Sequence, residues 1–211
     1  TRIEPDRKIV GGVAQPGNAP FSFEYDKLLI ATGAEASRPD IPGITHPDVM
    51  VLKNLEQGRQ IKHYLDNHPV KTAVIIGMGY IALEMCEAFE KRGVAVSMVK
   101  PGPVFLPWLK KELAQVIEQE LVQKGVSLYP GKAIREIEEK GQGVRVVCDG
   151  LSLDADLVLV AAGVIPCSGL ARDAGLKSGM GDSIAVDRYL RTSDPDIYAA
   201  GDCADAFHVV T

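Results

Sequence analysis

Residues Ala73–Ile76 form an unbroken apolar run, Gly77-Met78-Gly79 follows at once, and a helical pattern opens behind the second glycine. An all-apolar stretch of strand length is what a strand covered on both faces of a parallel sheet requires. Parallel neighbours need a crossover connection, most often a helix. The next segment supplies one: Ile81, Met85 and Phe89 recur at i, i+4 and i+8, and Lys91, Arg92 and Gly93 form a C-terminal stop. A second strand, VAVSMVK from Val94, begins immediately. Residues 72–100 therefore read as strand, glycine turn, helix, strand, close to the roughly 30 residues of a βαβ unit. The chain is thereby committed to an α/β fold built on a parallel sheet.

The turn is either a nucleotide cradle or a simple tight turn. Gly77 lets the chain leave the strand sharply, and Gly79 lacks the Cβ that would keep a pyrophosphate from the backbone. The helix N-terminus beyond supplies unpaired N–H groups, and Ala82 satisfies the third small position of a GxGxxG/A pattern. Alone the pattern is weak. After a buried strand and at the head of a helix, it predicts dinucleotide binding through Gly77, Met78, Gly79, Tyr80 and Ile81. At the end of the second strand, 23 residues after Gly77, an acid would accept hydrogen bonds from the ribose, but the chain has Lys100. A cation there favours a 2′-phosphate, hence NADPH over NADH. The other reading sends Lys100 to solvent and leaves the ribose to backbone groups.

Elsewhere the elements are read more coarsely. Residues 54–66 predict a helix with Leu55, Ile61 and Leu65 partly aligned, and residues 110–124 another with Leu113, Val116, Ile117 and Leu121 on one face. VSLYP is a strand, and the glycine-broken segment from Ala133 to Gly163 reads as a β-meander ending in the apolar strand Leu157–Val160. Lys27–Thr32 is a further buried-strand candidate. EASRPDIPGITHPD, with Pro39, Pro42 and Pro47, reads as a semi-rigid linker between two nucleotide-fold units. Residues 1–20, with three prolines and three glycines, read as a worn edge in which only Ile9 and Val10 suggest a strand.

Composition removes several alternatives. The formal charge is −5 and no basic cluster is interleaved with aromatics, which argues against a nucleic-acid partner. The longest apolar run, from Leu157, is interrupted by glycine and proline and is far short of the roughly 20 residues a membrane span needs. Cys86, Cys148, Cys167 and Cys203 stand 62, 19 and 36 residues apart, fitting neither a zinc site nor a dense disulfide framework. Reduced thiols in a cytoplasmic protein are the expectation. The chain starts at Thr1 without an apolar leader, and a fragment of a longer protein is expected.

A second motif, TSDPDIYAAGDCAD, spans Thr192–Asp205, with a strand at 197–200 that Gly201 and Asp202 end. Together with YDKLLIATGA (Tyr25–Ala34), LVLVAAGVIP (Leu157–Pro166) and GMGYIALE, this closely resembles the FAD-dependent pyridine nucleotide-disulfide oxidoreductases. GYIALE and GDCAD look most like the coenzyme A-disulfide reductase, NADH oxidase and NADH peroxidase branch. The resemblance implies a Rossmann-like three-layer ββα FAD/NAD(P)-binding fold: a parallel sheet with a β-meander, plus part of an FAD-binding domain. It places a partial FAD domain and linker at 1–50, the NAD(P) domain at 51–190, and a returning FAD-domain strand at 191–211.

The same resemblance assigns roles. Asp202 and Gly201 would meet the ribityl and phosphate part of FAD, and Thr32 and Gly33 would line its interdomain side. Tyr80 would be a gate over the flavin, Glu84 would hold the nicotinamide carboxamide, and Gly163 would lie against the nucleotide. The function implied is hydride transfer from NAD(P)H to flavin and on to a disulfide, peroxide or oxygen, in a parent enzyme acting on small molecules as a homodimer. Alternatives are a reductase serving a ferredoxin- or rubredoxin-like protein, or a nucleotide-binding module without catalysis. No residue of this chain matches the family's first glycine-rich loop or its redox cysteine, and Ile165 stands where relatives often carry arginine. The chain by itself is therefore expected to hold no catalytic residue, to bind FAD weakly or not at all, and to be inactive.

Overall fold

A computed structural model of the protein describes residues 1–205; residues 206–211 of the predicted closing segment lie outside them. The chain divides into two compact units, one made of Thr1–Glu35 with the chain from Val164 onward, the other of Ala36–Gly163. The division thus falls at 36 and 164, where the sequence placed it at 51 and 191.

Instead of a worn edge, the first residues form an antiparallel meander of β1 (Arg2–Glu4), β2 (Ile9–Ala14) and β3 (Ala19–Glu24). Pro20 is tolerated because β3 is an edge strand, where a missing N–H costs no ladder bond. β4 (Leu28–Ile30) follows, and β5 (Ala34–Ala36) leads toward the second unit.

The proline-rich stretch after β5 is packed, not a spacer. Ile41 and Ile44 lie against a core cluster containing Ile137, Val144 and Val146. The Pro42 carbonyl accepts the Ile137 N–H at 2.9 Å. Gly43 has φ +80, and a Cβ on it would stand 1.8 Å from the Ile137 carbonyl oxygen, so only glycine permits the approach.

The inner unit continues with β6 (Val49–Val51) and α1 (Leu55–Asn67). Asn54 and Gln57 close a capping box at the start of α1, satisfying N–H groups that the helix cannot. Then come β7 (Thr72–Ile76), α2 (Tyr80–Glu90), β8 (Ala95–Lys100), α3 (Lys111–Gln123) and β9 (Ser127–Pro130). The meander β10 (Ile134–Lys140), β11 (Gly143–Cys148) and β12 (Leu151–Ala155) delivers the chain to β13 (Leu157–Val160).

Five strands pair in the order β6-β13-β7-β8-β9, all parallel. Period-2 alternation splits β7 between two cores. Ala73 and Ile75 face the cluster holding Ile61, Ala82 and Phe89 of the helices, whereas Val74 and Ile76 face the cluster holding Val144 and Val146 of the meander. Helices, parallel sheet and meander are thus the three layers the sequence predicts.

The helix stripes differ from the sequence reading. In α2 the buried residues are Ala82, Cys86 and Phe89, while Ile81 sits at the surface. In α3 Ala114 is buried with Ile117 and Leu121 packed behind it, while Leu113 and Val116 are exposed. Leu55 is also exposed. Spacing of apolar residues leaves the phase of a helix open by one position, and contact with the sheet decides it.

The chain returns to the outer unit through β14 (Val164–Pro166), which pairs with β5, then α4 (Gly169–Asp173), β15 (Ile184–Ala185), β16 (Ile197–Ala199) and β17 (Ala204–Asp205). β16 runs parallel to β4, and β15 parallel to β17. Ala171, Leu176 and Ile184 share one core with Ile3, Ile30 and Ile197, which is why the chain after 163 belongs with the N-terminal segment.

Candidate functional site

β7 lies where the sheet changes direction: the chain runs through β8 and β9 to one edge, while β13 and β6 fill the other. In open α/β sheets ligands bind outside the carboxyl ends of the strands at such a switch point. Gly77 stands there with φ +124, and a Cβ on it would be 2.1 Å from the Ala161 carbonyl oxygen. Its N–H donates to Val99 at 2.8 Å, so the turn is pinned between the ends of its two neighbours.

Gly79 caps α2 in extended backbone, with φ −96 and ψ −173. A Cβ there would meet nothing within 4 Å. Gly77 is therefore demanded by the fold, whereas Gly79 leaves open space in front of the helix. The first-turn N–H groups of a helix have no intrahelical acceptor, no side chain caps them here, and the first turn carries no acid. Open space, bare donors and the positive end of the helix dipole together suit a diphosphate. Ala82 is fully buried beneath, where a larger side chain would push α2 off the sheet.

The other predicted residues are distributed unequally around this mouth. Met78 is buried, so it can offer only its backbone. Tyr80 is 68% exposed and leans on Trp108, with ring centroids 5.4 Å apart and planes tilted by 47°. Glu84 is exposed one turn along α2 from Tyr80, on the same face. Lys100 ends β8 as predicted, but its ammonium donates to the Val104 carbonyl at 2.9 Å. That curl crosses Gly102, where a Cβ would stand 3.0 Å from the lysine Cε. Gly163, at φ +101, accepts from the Ser37 N–H at 2.9 Å.

In the outer unit, the parallel pairing of β4 with β16 brings Thr32, Gly33, Gly201 and Asp202 to the same, carboxyl end of two neighbouring strands. The Ala200 N–H donates to Ile30 at 3.0 Å, continuing the ladder to that end. Thr32 donates through Oγ1 to the Cys167 carbonyl at 2.6 Å, and the Cys167 N–H donates to Gly33 at 2.9 Å. Gly33 and Gly201 have φ +69 and +81, both unfavourable for a side chain. Asp202 is exposed beside them.

All four thiols are free. Burial pushes the Cys86 thiol up to about 11 and raises Cys148, and Cys203 is buried against the Ile30 and Ala200 carbonyls. Burial that raises their pKa makes the Cys86 and Cys148 thiols poor nucleophiles. Among the described residues no cluster of His, Cys, Asp and Glu could hold a metal, and no helix is long and apolar enough to cross a membrane. Sequence reasoning missed Trp108, the only tryptophan, whose one signal was its place in a proline-rich loop directly after the second strand.

Three layers around a parallel sheet, with an open glycine turn at the switch point, define an α/β protein of the dinucleotide-binding class. The whole chain, residues 1–211, matches the pyridine nucleotide-disulphide oxidoreductase family, and the protein belongs to that family of FAD- and NAD(P)H-using enzymes. An NADH oxidase of Methanocaldococcus jannaschii is 35% identical over 94% of this chain and 44% of its own length. A coenzyme A-dependent NAD(P)H sulfur oxidoreductase of Pyrococcus furiosus is 36% identical over 90% of this chain and 43% of its own. The solved structure of a water-forming NADH oxidase from Lactobacillus brevis, bound to NADH, superposes with a TM-score of 0.91 at 29% identity, covering 97% of this chain and 45% of that one. The chain thus spans a little under half the length of these relatives, among which NADH oxidase is one of the activities named in the sequence resemblance.

Proposed function

We propose that the inner unit is the nicotinamide-nucleotide-binding portion of an FAD-dependent NAD(P)H oxidoreductase whose final acceptor is a disulfide, a peroxide or oxygen. The observation that carries this reading is the contrast at the turn. Gly77 is locked by the Ala161 carbonyl, and Gly79 opens onto free space at the bare end of α2. When bound, the reduced nicotinamide supplies a hydride and the flavin accepts it. The protein's part is to seat the diphosphate on the first-turn N–H groups, with Tyr80, Ile81, Glu84 and Gly163 disposed around the nucleotide. At the other unit, Thr32, Gly33, Gly201 and Asp202 would meet the flavin nucleotide. A cytoplasmic, homodimeric parent acting on a small molecule belongs to the same proposal.

Lys100 supports a preference for NADPH only if its ammonium exchanges the Val104 carbonyl for a 2′-phosphate. Calorimetric titration of the chain with NADH and NADPH tests both parts. Gly79→Val keeps an allowed backbone and places its side chain in the open space, so it should weaken both cofactors by about tenfold or more, roughly 1.4 kcal/mol, without altering the circular dichroism. Unchanged binding would refute the cradle. Lys100→Glu should weaken NADPH selectively; equal loss for both cofactors, or no loss, would remove the preference.

A further inference from the structure

The loop between β8 and α3 is built in an unusual way. Phe105 and Leu106 are buried in the helix-side core, and the Lys100 ammonium holds the Val104 carbonyl from below. Leu106 has φ +47, a left-handed conformation that a leucine adopts only when its surroundings impose it. The Leu109 N–H donates back to the Leu106 carbonyl at 3.0 Å, closing a turn around Pro107 and Trp108. The strained turn thus directs the largest side chain in the protein outward, where it remains 47% exposed and, among the described residues, meets one aromatic ring, that of Tyr80. Core packing does not explain such a contact, because neither ring belongs to a buried cluster.

Tyr80 is the first residue of α2, directly after Gly79. Side chains in a helix slant toward its N-terminus, so a tyrosine in this place has rotamers that lie across the end of the helix. In the structure the ring rests on Trp108 instead, and apart from its chain neighbours nothing stands within 4 Å of where a Gly79 Cβ would be.

Resting on the nucleotide site proposed above, we infer that Trp108 is a positioning residue: it parks the Tyr80 ring to one side and so keeps the helix mouth clear for the diphosphate. Trp108 acts through Tyr80 and need not touch the nucleotide. Its effect should vanish when there is no ring to park.

The test is a double-mutant cycle on the full 211-residue chain, with NADH as the probe, using Trp108→Ala, Tyr80→Ala and the pair. Trp108→Ala should weaken NADH by about two- to tenfold, the range an aromatic pair contributes, and Trp108→Phe should recover most of the loss. In the Tyr80→Ala background, Trp108→Ala should cost nothing further. A structural check independent of nucleotide is collisional quenching by acrylamide of the single tryptophan, which should rise in Tyr80→Ala. Equal loss from Trp108→Ala in both backgrounds would mean that Trp108 contacts the nucleotide itself, and would overturn the inference while leaving the binding site standing. Failure of the unaltered chain to bind NADH would remove the site and the inference together. Both side chains are surface groups, so the variants should fold.

Discussion

The two units carry their candidate nucleotide sites in the same place, at the carboxyl ends of parallel strands, with unequal resources. The inner unit has five paired parallel strands with a core on each face. The outer unit spreads its strands over small sheets of two or three and shares one core among segments far apart in sequence. It also ties those segments by charge: Asp196, just before β16, pairs with Lys8 and Lys27 from the N-terminal region. Interlocked apolar layers leave a turn no room for an added methyl, as at Gly77. Small sheets and an exposed ionic clip give weaker restraint, because water screens the charges.

The contrast is broken or sharpened by substitution. The largest effect should come from Gly77→Ala, whose methyl has no room beside the Ala161 carbonyl. We expect a loss of about 4 kcal/mol or more, read as the urea midpoint of Trp108 fluorescence. A near-normal midpoint would show that the inner turn is softer than its packing implies. Phe89→Ala empties a fully buried site between α2 and the sheet and should cost about 3–5 kcal/mol by the same measurement. In the outer unit, Ile197→Val removes one methylene from a buried position and should cost only about 0.5–1.5 kcal/mol by circular dichroism. A cost comparable to that of Phe89→Ala would mean that the small core is as tightly matched as the large ones.

The smallest effect concerns pH. The Lys27 hydrogen bond, then that of Lys8, holds the Asp196 carboxyl down to about 2. Because the folded pKa lies below the unfolded value of about 3.9, this contribution is fully present above pH 4 and fades as pH falls toward 2. Asp196→Asn should therefore flatten the fall in stability of the outer unit between pH 4 and pH 2. An unchanged slope would assign acid sensitivity to other carboxylates.

Legibility followed the same division. In the inner unit, Ala73–Ile76 and Leu157–Val160 could be recognised as doubly covered strands because burial on both faces demands unbroken apolar sequence. Of the turn glycines, Gly77 was legible because its geometry excludes a side chain. The meander at residues 2–24 was not, since its strands carry Gly11, Gly12 and Pro20 and leave most side chains exposed, so no alternation marks them. The stretch after β5 misled for another reason: its prolines exclude regular structure but not packing, and Ile137, which receives it, lies almost a hundred residues later.

By itself the sequence determined the βαβ unit, its glycine turn and the membership of the chain in its family, because strand burial, helix periodicity and turn geometry are local demands written residue by residue. Only the tertiary structure decided where one unit yields to the other, which faces of α2 and α3 are buried, and that Trp108 meets Tyr80. Each of these depends on contacts between residues remote in the chain, and local pattern places no constraint on which distant partner a surface will find.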